Sequence, residues 1–457
     1  MATGQAKILH DKEVMVIGGG VCGIQAALDL ADKGFQVRMV EREPTIGGRM
    51  AILDKVFPTN DCSICILAPK MIMCYNNPNI DVMTYAEVKK VEGKAGDFKV
   101  TVLQKPRYIK EDQCTGCGDC IEACVRKDEF PNKWDANLGK RGAVYMPFLQ
   151  AVPRIACVDS ETCFTLRGEK CKMPCIRACQ RKAMDFKMKP AEVTLNVGAI
   201  IVATGLEEYD PSEITEYGYG RYTNVVTAME YERLINASGP TGGHVHRFND
   251  HEQPGSQGFI QCVGARDLRL GNPYCCSVCC MYATKDAMLA REHYPDIENF
   301  IFYTDMRAFG KGFDEYIRRG KSDYGITYVR AKPGEVTEDP ETKNLFIWYE
   351  DGETGEIRSQ EVEFLVLSTA FVPWHGVENL AKTLGVEVDE YGFFRAEDDL
   401  LSPLDSTREG ILIAGTCQAP MDVTDSVEQG GGAANRAAEI IAQAGKAPAK
   451  KKVKAGK

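Results

Sequence analysis

The chain has 457 residues, about three domains at the usual ~150 residues each. Apolar residues make up 44% and charged residues 26%, a globular composition that argues against a fibrous or disordered chain. The net charge of −10 repels phosphate backbones, so no nucleic-acid partner is expected, and no apolar run reaches the ~18 residues of a membrane span.

The first twelve residues are polar and lack the apolar block of an export signal, which predicts a cytoplasmic protein. Nineteen cysteines are clustered along the chain. Without an export signal, clustered cysteines point to metal or redox chemistry rather than a disulfide framework.

In chain order, Val14–Ile17 reads as a strand, Ile24–Ala31 as a helix and Val37–Val40 as a second strand. Gly18, Gly20 and Gly23 form G-x-G-x-x-G between the first strand and the helix. Such glycines allow a tight turn, close approach of backbone to pyrophosphate and contact of helix with strand, while the helix N-terminus offers amide donors. Glu41 ends the second strand, where a carboxylate accepts ribose hydroxyls. Gly47, Gly48 and Arg49 resemble the second phosphate-contacting turn of two-dinucleotide flavoproteins. The strand GAIIVATG (Gly198–Gly205) and the strand GILIAG (Gly410–Gly415) also resemble that superfamily, and FAD is expected rather than NAD. The usual Asp after Gly415 is replaced by Thr416.

From about 106 to 190 strand–helix alternation fades, and nine cysteines fall here. Cys114, Cys117, Cys120 and Cys124 give C-x2-C-x2-C-x3-C, a spacing that puts three thiolates on one iron–sulfur cube and the fourth on another. Cys163, Cys171, Cys175 and Cys179 form the partner run. The crossed arrangement assigns Cys114, Cys117, Cys120 and Cys179 to one [4Fe–4S] cluster, and Cys124, Cys163, Cys171 and Cys175 to the other. Zinc also takes four cysteines, but two interleaved runs beside a flavin motif favour iron–sulfur. Cys157 is left over as a buried thiol.

A second α/β unit follows. A strand over Gly258–Val263 leads to a helix over Met281–Arg291, and FLVLST (Phe364–Thr369) closes it. Where a nicotinamide-binding turn would lie stand Cys262, Cys275, Cys276, Cys279 and Cys280. Thiolates put negative charge where phosphate needs amides, so this unit is expected to hold a metal cluster; buried thiols with a structural disulfide are the other reading. A helix is expected near Gly430–Ala444, and the Lys-rich end, 446–457, as a disordered tail.

FPTNDCSICILAPKM (Phe57–Met71), the cysteine-rich insert, CCSVCCMYATKDA (Cys275–Ala287) and DMRAFGKGF (Asp305–Phe313) together resemble the FAD-containing iron–sulfur subunit of heterodisulfide reductase, its A-type subunit, over essentially the whole chain. The resemblance implies an α/β, thioredoxin-reductase-like flavoprotein of two dinucleotide-binding-type domains with an inserted bacterial-type two-[4Fe–4S] ferredoxin domain. It divides the chain into a flavin domain in three parts (1–106, 190–245 and 400–445), the insert (107–189), a second lobe (246–399) and the tail (446–457).

It further implies a third [4Fe–4S] cluster on Cys262, Cys275, Cys279 and Cys280, with Cys276 spare. Lys285 matches a lysine near flavin N5, and Glu232, in MEYERLI, an acid at the same edge; residue patterning alone reads both as surface charges. The implied function is electron transfer, with flavin-based bifurcation in many members' complexes, from a hydrogenase or dehydrogenase module to ferredoxin and a disulfide-type acceptor. The implied partners are heterodisulfide reductase B- and C-like subunits, in an oligomer in a reducing, anaerobic cytoplasm. Larger members carry further domains before the flavin motif and after the last segment, which this sequence does not match.

Two alternatives stand. Cys62-x2-Cys65 follows the flavin turn at about the distance of the redox dithiol in disulfide reductases, which would make the chain a self-contained flavin thiol–disulfide oxidoreductase. A non-catalytic scaffold that keeps clusters for stability is the third reading.

Overall fold

The computed structural model describes residues 12–444; the expected Lys-rich tail lies outside them. β1 (Glu13–Ile17), α1 (Val21–Asp32) and β2 (Val37–Glu41) open the chain as expected, each end within a few residues of its sequence signal. A small hairpin, β3 (Lys55–Val56) and β4 (Asp61–Cys62), leads into α2 (Ser63–Asn76) and β5 (Ile80–Thr84). β6 (Ala86–Lys94) and β7 (Asp97–Gln104) form a long hairpin.

After the cysteine-rich segment, β8 (Ala191–Val202) does two jobs. Its first half pairs antiparallel with β7 and its second half parallel with β1. The change of neighbour accompanies a change of side chain: Ala191–Asn196 is largely exposed, and Val197–Val202 is buried throughout. A strand bounded by apolar layers on both faces reads as a continuous apolar run, and GAIIVATG is such a run.

A second parallel sheet is built from β9 (Val225–Thr227), β10 (Ser256–Val263), β11 (Glu298–Tyr303), β12 (Thr327–Arg330) and β13 (Phe364–Thr369), in the order β9-β13-β10-β11-β12. α3 (Ala228–Ile235) and α4 (Cys279–His293) cover it. The chain then returns to the first sheet through a helix at Val377–Leu384, β14 (Ser402–Ser406), β15 (Ile411–Ile413) and α5 (Val423–Ala444), which packs against α1.

This pairing corrects two expected boundaries. The expected division puts 225–245 in the flavin domain, but β9 pairs with β13, and Tyr231, Leu234 and Ile235 pack in the core of the second sheet. It puts 377–399 in the second lobe, but Val377, Ala381 and Leu384 pack on the first sheet with Val100 and Ile200, and the strand Ala396–Asp398 pairs with β14. In both cases a short apolar segment joins the sheet that can bury it, and three-residue strands give too little periodicity to show which.

The cysteine-rich segment holds two short helices, Asp119–Glu122 and Pro174–Ala178, with two ladders of two-residue strands and isolated bridges rather than a larger sheet. It rests on the first domain: Ile46 bridges to Val152, Thr45 Oγ1 accepts the Val152 N–H at 2.8 Å, and Trp134 stacks on Phe148 at 4.1 Å against the first core. Among the described residues, no helix is long and apolar enough to cross a membrane.

Candidate functional site

The first site lies where β1 enters α1. Gly20 is the N-cap of α1, with no side-chain cap, so no capping side chain takes up the first-turn amides. A Cβ on Gly20 would meet nothing within 4 Å, whereas one on Gly23 would stand 2.0 Å from Gly18 O. The first is open where a pyrophosphate would lie; the second closes helix on strand. Gly47 N–H donates to Gly19 O at 2.7 Å, holding the Gly47–Gly48 turn against the first loop.

Glu41 is buried and accepts the N–H groups of Gly19 (2.6 Å) and Glu43 (2.8 Å); burial raises its pKa against the pull of those two donors. Arg49 donates through Nε to Leu206 O at 2.8 Å, just beyond Gly205. Gly415 donates to Gln429 Oε1 at 2.8 Å, and Thr416 follows in a single 3₁₀ turn. Uncapped amides, an open floor and a buried carboxylate fit a dinucleotide.

The insert's eight cysteines separate into two groups. A cavity of about 180 Å³ is lined by Cys114, Cys117, Cys120 and Cys179. A second, smaller hollow is lined by Cys124, Cys163, Cys171 and Cys175. Each run of the sequence therefore gives its last member to the other, as the crossed spacing requires. Backbone amides donate to the sulfurs of Cys114 (Gly116, 3.4 Å), Cys171 (Met173, 3.3 Å) and Cys179 (Ala183, 3.3 Å). Such N–H···S bonds stabilise anionic sulfur. Among the described residues, no three His, Cys, Asp or Glu side chains are drawn together tightly enough to hold a single metal ion.

In the second lobe a break in the β10 ladder between Ile260 and Val263 turns Cys262 out of the strand, at φ 59°. Its thiol meets that of Cys279, which also meets Cys280; the Cys279 contact and the Arg266 guanidinium draw Cys262 down from the ordinary thiol range. Cys280 donates to Gln261 Oε1 at 3.2 Å and accepts the Arg307 N–H at 3.4 Å. Cys275 accepts the Ser277 N–H at 3.4 Å on the same loop. Cys276 is buried and accepts the Phe371 N–H at 3.3 Å. Cys157 is fully buried.

Lys285 and Glu232 are not surface charges, as patterning alone would have them. They are 1% and 3% exposed and form an ion pair between α4 and α3. α4 is buried on nearly every side from Cys279 to Ala290, so no face of that turn reaches water. Asp286, which sequence reasoning missed, stands 3.1 Å from Lys285 Nζ, yet off the angle for a hydrogen bond: neither oxygen has a partner. Burial pushes its carboxyl well above the ordinary range, and Glu232 adds to this. Burial alone would lower the Lys285 ammonium, but Asp286 and Glu232 outweigh it and hold it above its ordinary range. The signal that could have found Asp286 was a Lys-Asp pair inside an otherwise apolar helix.

A strap of the first domain, Ile52–Lys55, is bound by side chains of the second lobe. Arg233 Nη1 donates to Ile52 O (2.9 Å), Asn236 Nδ2 to Leu53 O (3.2 Å), and Lys285 Nζ to Lys55 O (3.1 Å), while Glu232 Oε2 accepts the Asp54 N–H (2.9 Å). Arg233 also reaches Asp135 of the insert at 3.0 Å.

This fold is that of an α/β flavoprotein of the thioredoxin-reductase-like type. Residues 12–114 match the family described as pyridine nucleotide-disulphide oxidoreductase. Thioredoxin reductases of T. acidophilum and Lactococcus lactis superpose with a TM-score of 0.51 each at 13% identity, covering 94% and 95% of this chain and 98% and 100% of theirs; at that identity they show the fold alone.

The particular family follows from closer relatives. The chain is 50% identical over 451 residues to an iron-sulfur A-type subunit of the CoB–CoM heterodisulfide reductase of Methanopyrus kandleri, covering 97% of this chain and 68% of the relative. It is 48% identical to the A-type subunit of the H2:CoB-CoM heterodisulfide, ferredoxin reductase of Methanothermobacter marburgensis, covering 95% and 64%. The chain belongs to the family of heterodisulfide reductase A-type subunits, and so to the oxidoreductases; FAD goes with its fold and iron–sulfur clusters with its family. It spans about two thirds of the length of these curated relatives.

Proposed function

We propose that the chain is the electron-transfer subunit of a heterodisulfide-reductase-like complex, holding FAD and three [4Fe–4S] clusters. The observation that carries the reading is the crossed convergence of Cys179 on Cys114, Cys117 and Cys120, with Cys124 on Cys163, Cys171 and Cys175. Two interleaved four-thiol hollows suit a ferredoxin-type insert over residues 107–189, which packs on the domain that carries the dinucleotide cradle.

A bound flavin supplies two-electron chemistry and iron–sulfur clusters one-electron transfer. The chain's own residues set the terms. Gly18, Gly20 and Gly23, with Gly47, Gly48 and Arg49, hold the pyrophosphate; Glu41 takes the ribose; Gly205, Gly415 and Thr416 line the far side. Lys285, fixed by Glu232 and the Lys55 carbonyl, places a buried positive charge that favours an anion beside it. Cys262, Cys275, Cys279 and Cys280 form the third thiol set, and Cys276 stays outside it.

The donor is a hydrogenase or dehydrogenase module, and the acceptors are ferredoxin and a disulfide-type acceptor on B- and C-like subunits, with bifurcation as the mode. The self-contained thiol–disulfide oxidoreductase reading leaves the twelve ligand cysteines without a role, and the scaffold reading leaves the buried Lys285–Glu232 pair without one.

The test is iron and flavin per chain in anaerobically purified protein. About twelve irons per FAD supports three four-iron clusters, and about eight removes the second-lobe cluster.

A further inference from the structure

One cysteine pair lies outside this scheme. Of the seventeen cysteines that are not bridged, twelve fall in the three thiol sets, and Cys22, Cys74, Cys157, Cys276 and Cys417 are buried. Cys62 and Cys65 are joined as a disulfide at the start of α2.

Their surroundings are asymmetric. Cys65 is exposed and Cys62 is half-buried, so a reagent from solvent reaches the Cys65 sulfur first. Cys62 is the N-cap of a fourteen-residue helix, and its sulfur accepts the Cys65 N–H at 3.3 Å. A helix N-terminus with an amide aimed at sulfur favours a thiolate there, which makes Cys62 the better leaving group.

The inner side faces the buried charges. β3 and β4 place Cys62 directly opposite Lys55, whose carbonyl receives the Lys285 ammonium at 3.1 Å. The disulfide is therefore one ladder rung from the buried ion pair on one side and open to water on the other.

We propose that Cys62 and Cys65 form an additional redox centre, a two-electron dithiol/disulfide couple that exchanges with dithiols and disulfides at the protein surface. This does not rest on the electron-transfer reading. In the reductive direction, one thiolate of an external dithiol attacks Cys65 Sγ. The Cys62–Cys65 bond breaks, and Cys62 leaves as a thiolate. The second thiolate of the reagent then displaces Cys65 from the mixed disulfide. The reagent loses two electrons and becomes a disulfide, the pair gains the same two, and the two protons of the dithiol end on Cys62 and Cys65. The reverse sequence reduces an external disulfide.

The experiment uses the anaerobic full chain with its cofactors, equilibrated in mixtures of reduced and oxidised dithiothreitol, quenched by alkylation and read by peptide mass spectrometry. The expected result is that Cys62 and Cys65 gain label together, reversibly, along one two-electron curve, while Cys157 and Cys276 stay unlabelled in the native protein. A pair that stays bridged at the fully reducing end until the chain unfolds, or that labels as two independent thiols, overturns the proposal. The C62S and C65S variants supply a second reading. C62S, which keeps the exposed thiol, should form a mixed disulfide with an oxidised thiol reagent several-fold faster than C65S; equal or reversed rates overturn the assigned order of attack.

Discussion

Lys285 and Glu232, 53 residues apart in sequence, meet as an ion pair in the interior with their side chains 2% and 4% exposed. Asp286 stands beside the same ammonium. Removing the cation leaves the Glu232 carboxylate buried and uncompensated, whereas removing Glu232 leaves Asp286 to ionise as a substitute counter-ion. K285M should therefore cost about 3–5 kcal/mol of stability, and E232Q clearly less. Denaturant titration of the two variants and of the double variant checks this; equal costs would show that Asp286 carries no charge in either variant.

Asp286 should make stability depend on pH. Its folded-state pKa lies above the unfolded one, because burial disfavours the charged form. Its contribution is complete below the unfolded value, about 3.9, and is lost as pH rises toward the folded value. D286N, which cannot ionise, should show a flatter stability profile above about pH 4 and should gain on the parent chain as pH rises. Infrared difference spectra should show a protonated-carboxyl band that disappears in D286N. A parallel pH profile for the two proteins contradicts the assignment.

Two glycines of the first loop should behave differently. At Gly20 a methyl group meets only open space, so G20A should keep its fold and melting temperature while losing flavin. At Gly23 the methyl would stand 2.0 Å from Gly18 O, so G23A should lose stability as well as flavin. Flavin absorbance per chain and thermal unfolding separate the two effects. Retention of flavin by G20A would place the pyrophosphate elsewhere.

Iron content should follow the crossed sets rather than the linear runs. C179A, more than fifty residues from the first run, should remove about four irons, as C114A does, and the double variant no more than either alone. C157A, in a fully buried position outside both hollows, should leave iron unchanged. Additive losses in the double variant would place Cys179 in the other set.

Much of this was legible in the sequence because it rests on local rules. The first β-α-β unit, the glycine loop and FLVLST sit within a few residues of their signals, since apolar runs bounded by glycine have few alternatives. The crossing of the two cysteine runs was legible because ligand spacing carries it. What was not legible depends on distant partners. Val225–Thr227 could have joined either sheet. Glu232 and Lys285 look like surface charges until both faces of their helices are known to be covered. Asp286 had no signal beyond its neighbour.

The strap from Ile52 to Lys55 carries a further consequence. Each of its four residues gives one backbone group to a side chain of the second lobe, and one of those side chains, Arg233, also grips Asp135 of the insert. The insert, the first domain and the second lobe are thereby tied through the adjacent Glu232 and Arg233 of α3, Asn236 at its end and Lys285 of α4. Asp135 of the insert is thus joined through Arg233 to its chain neighbour Glu232, and so to the buried ammonium of Lys285, by an unbroken line of polar contacts.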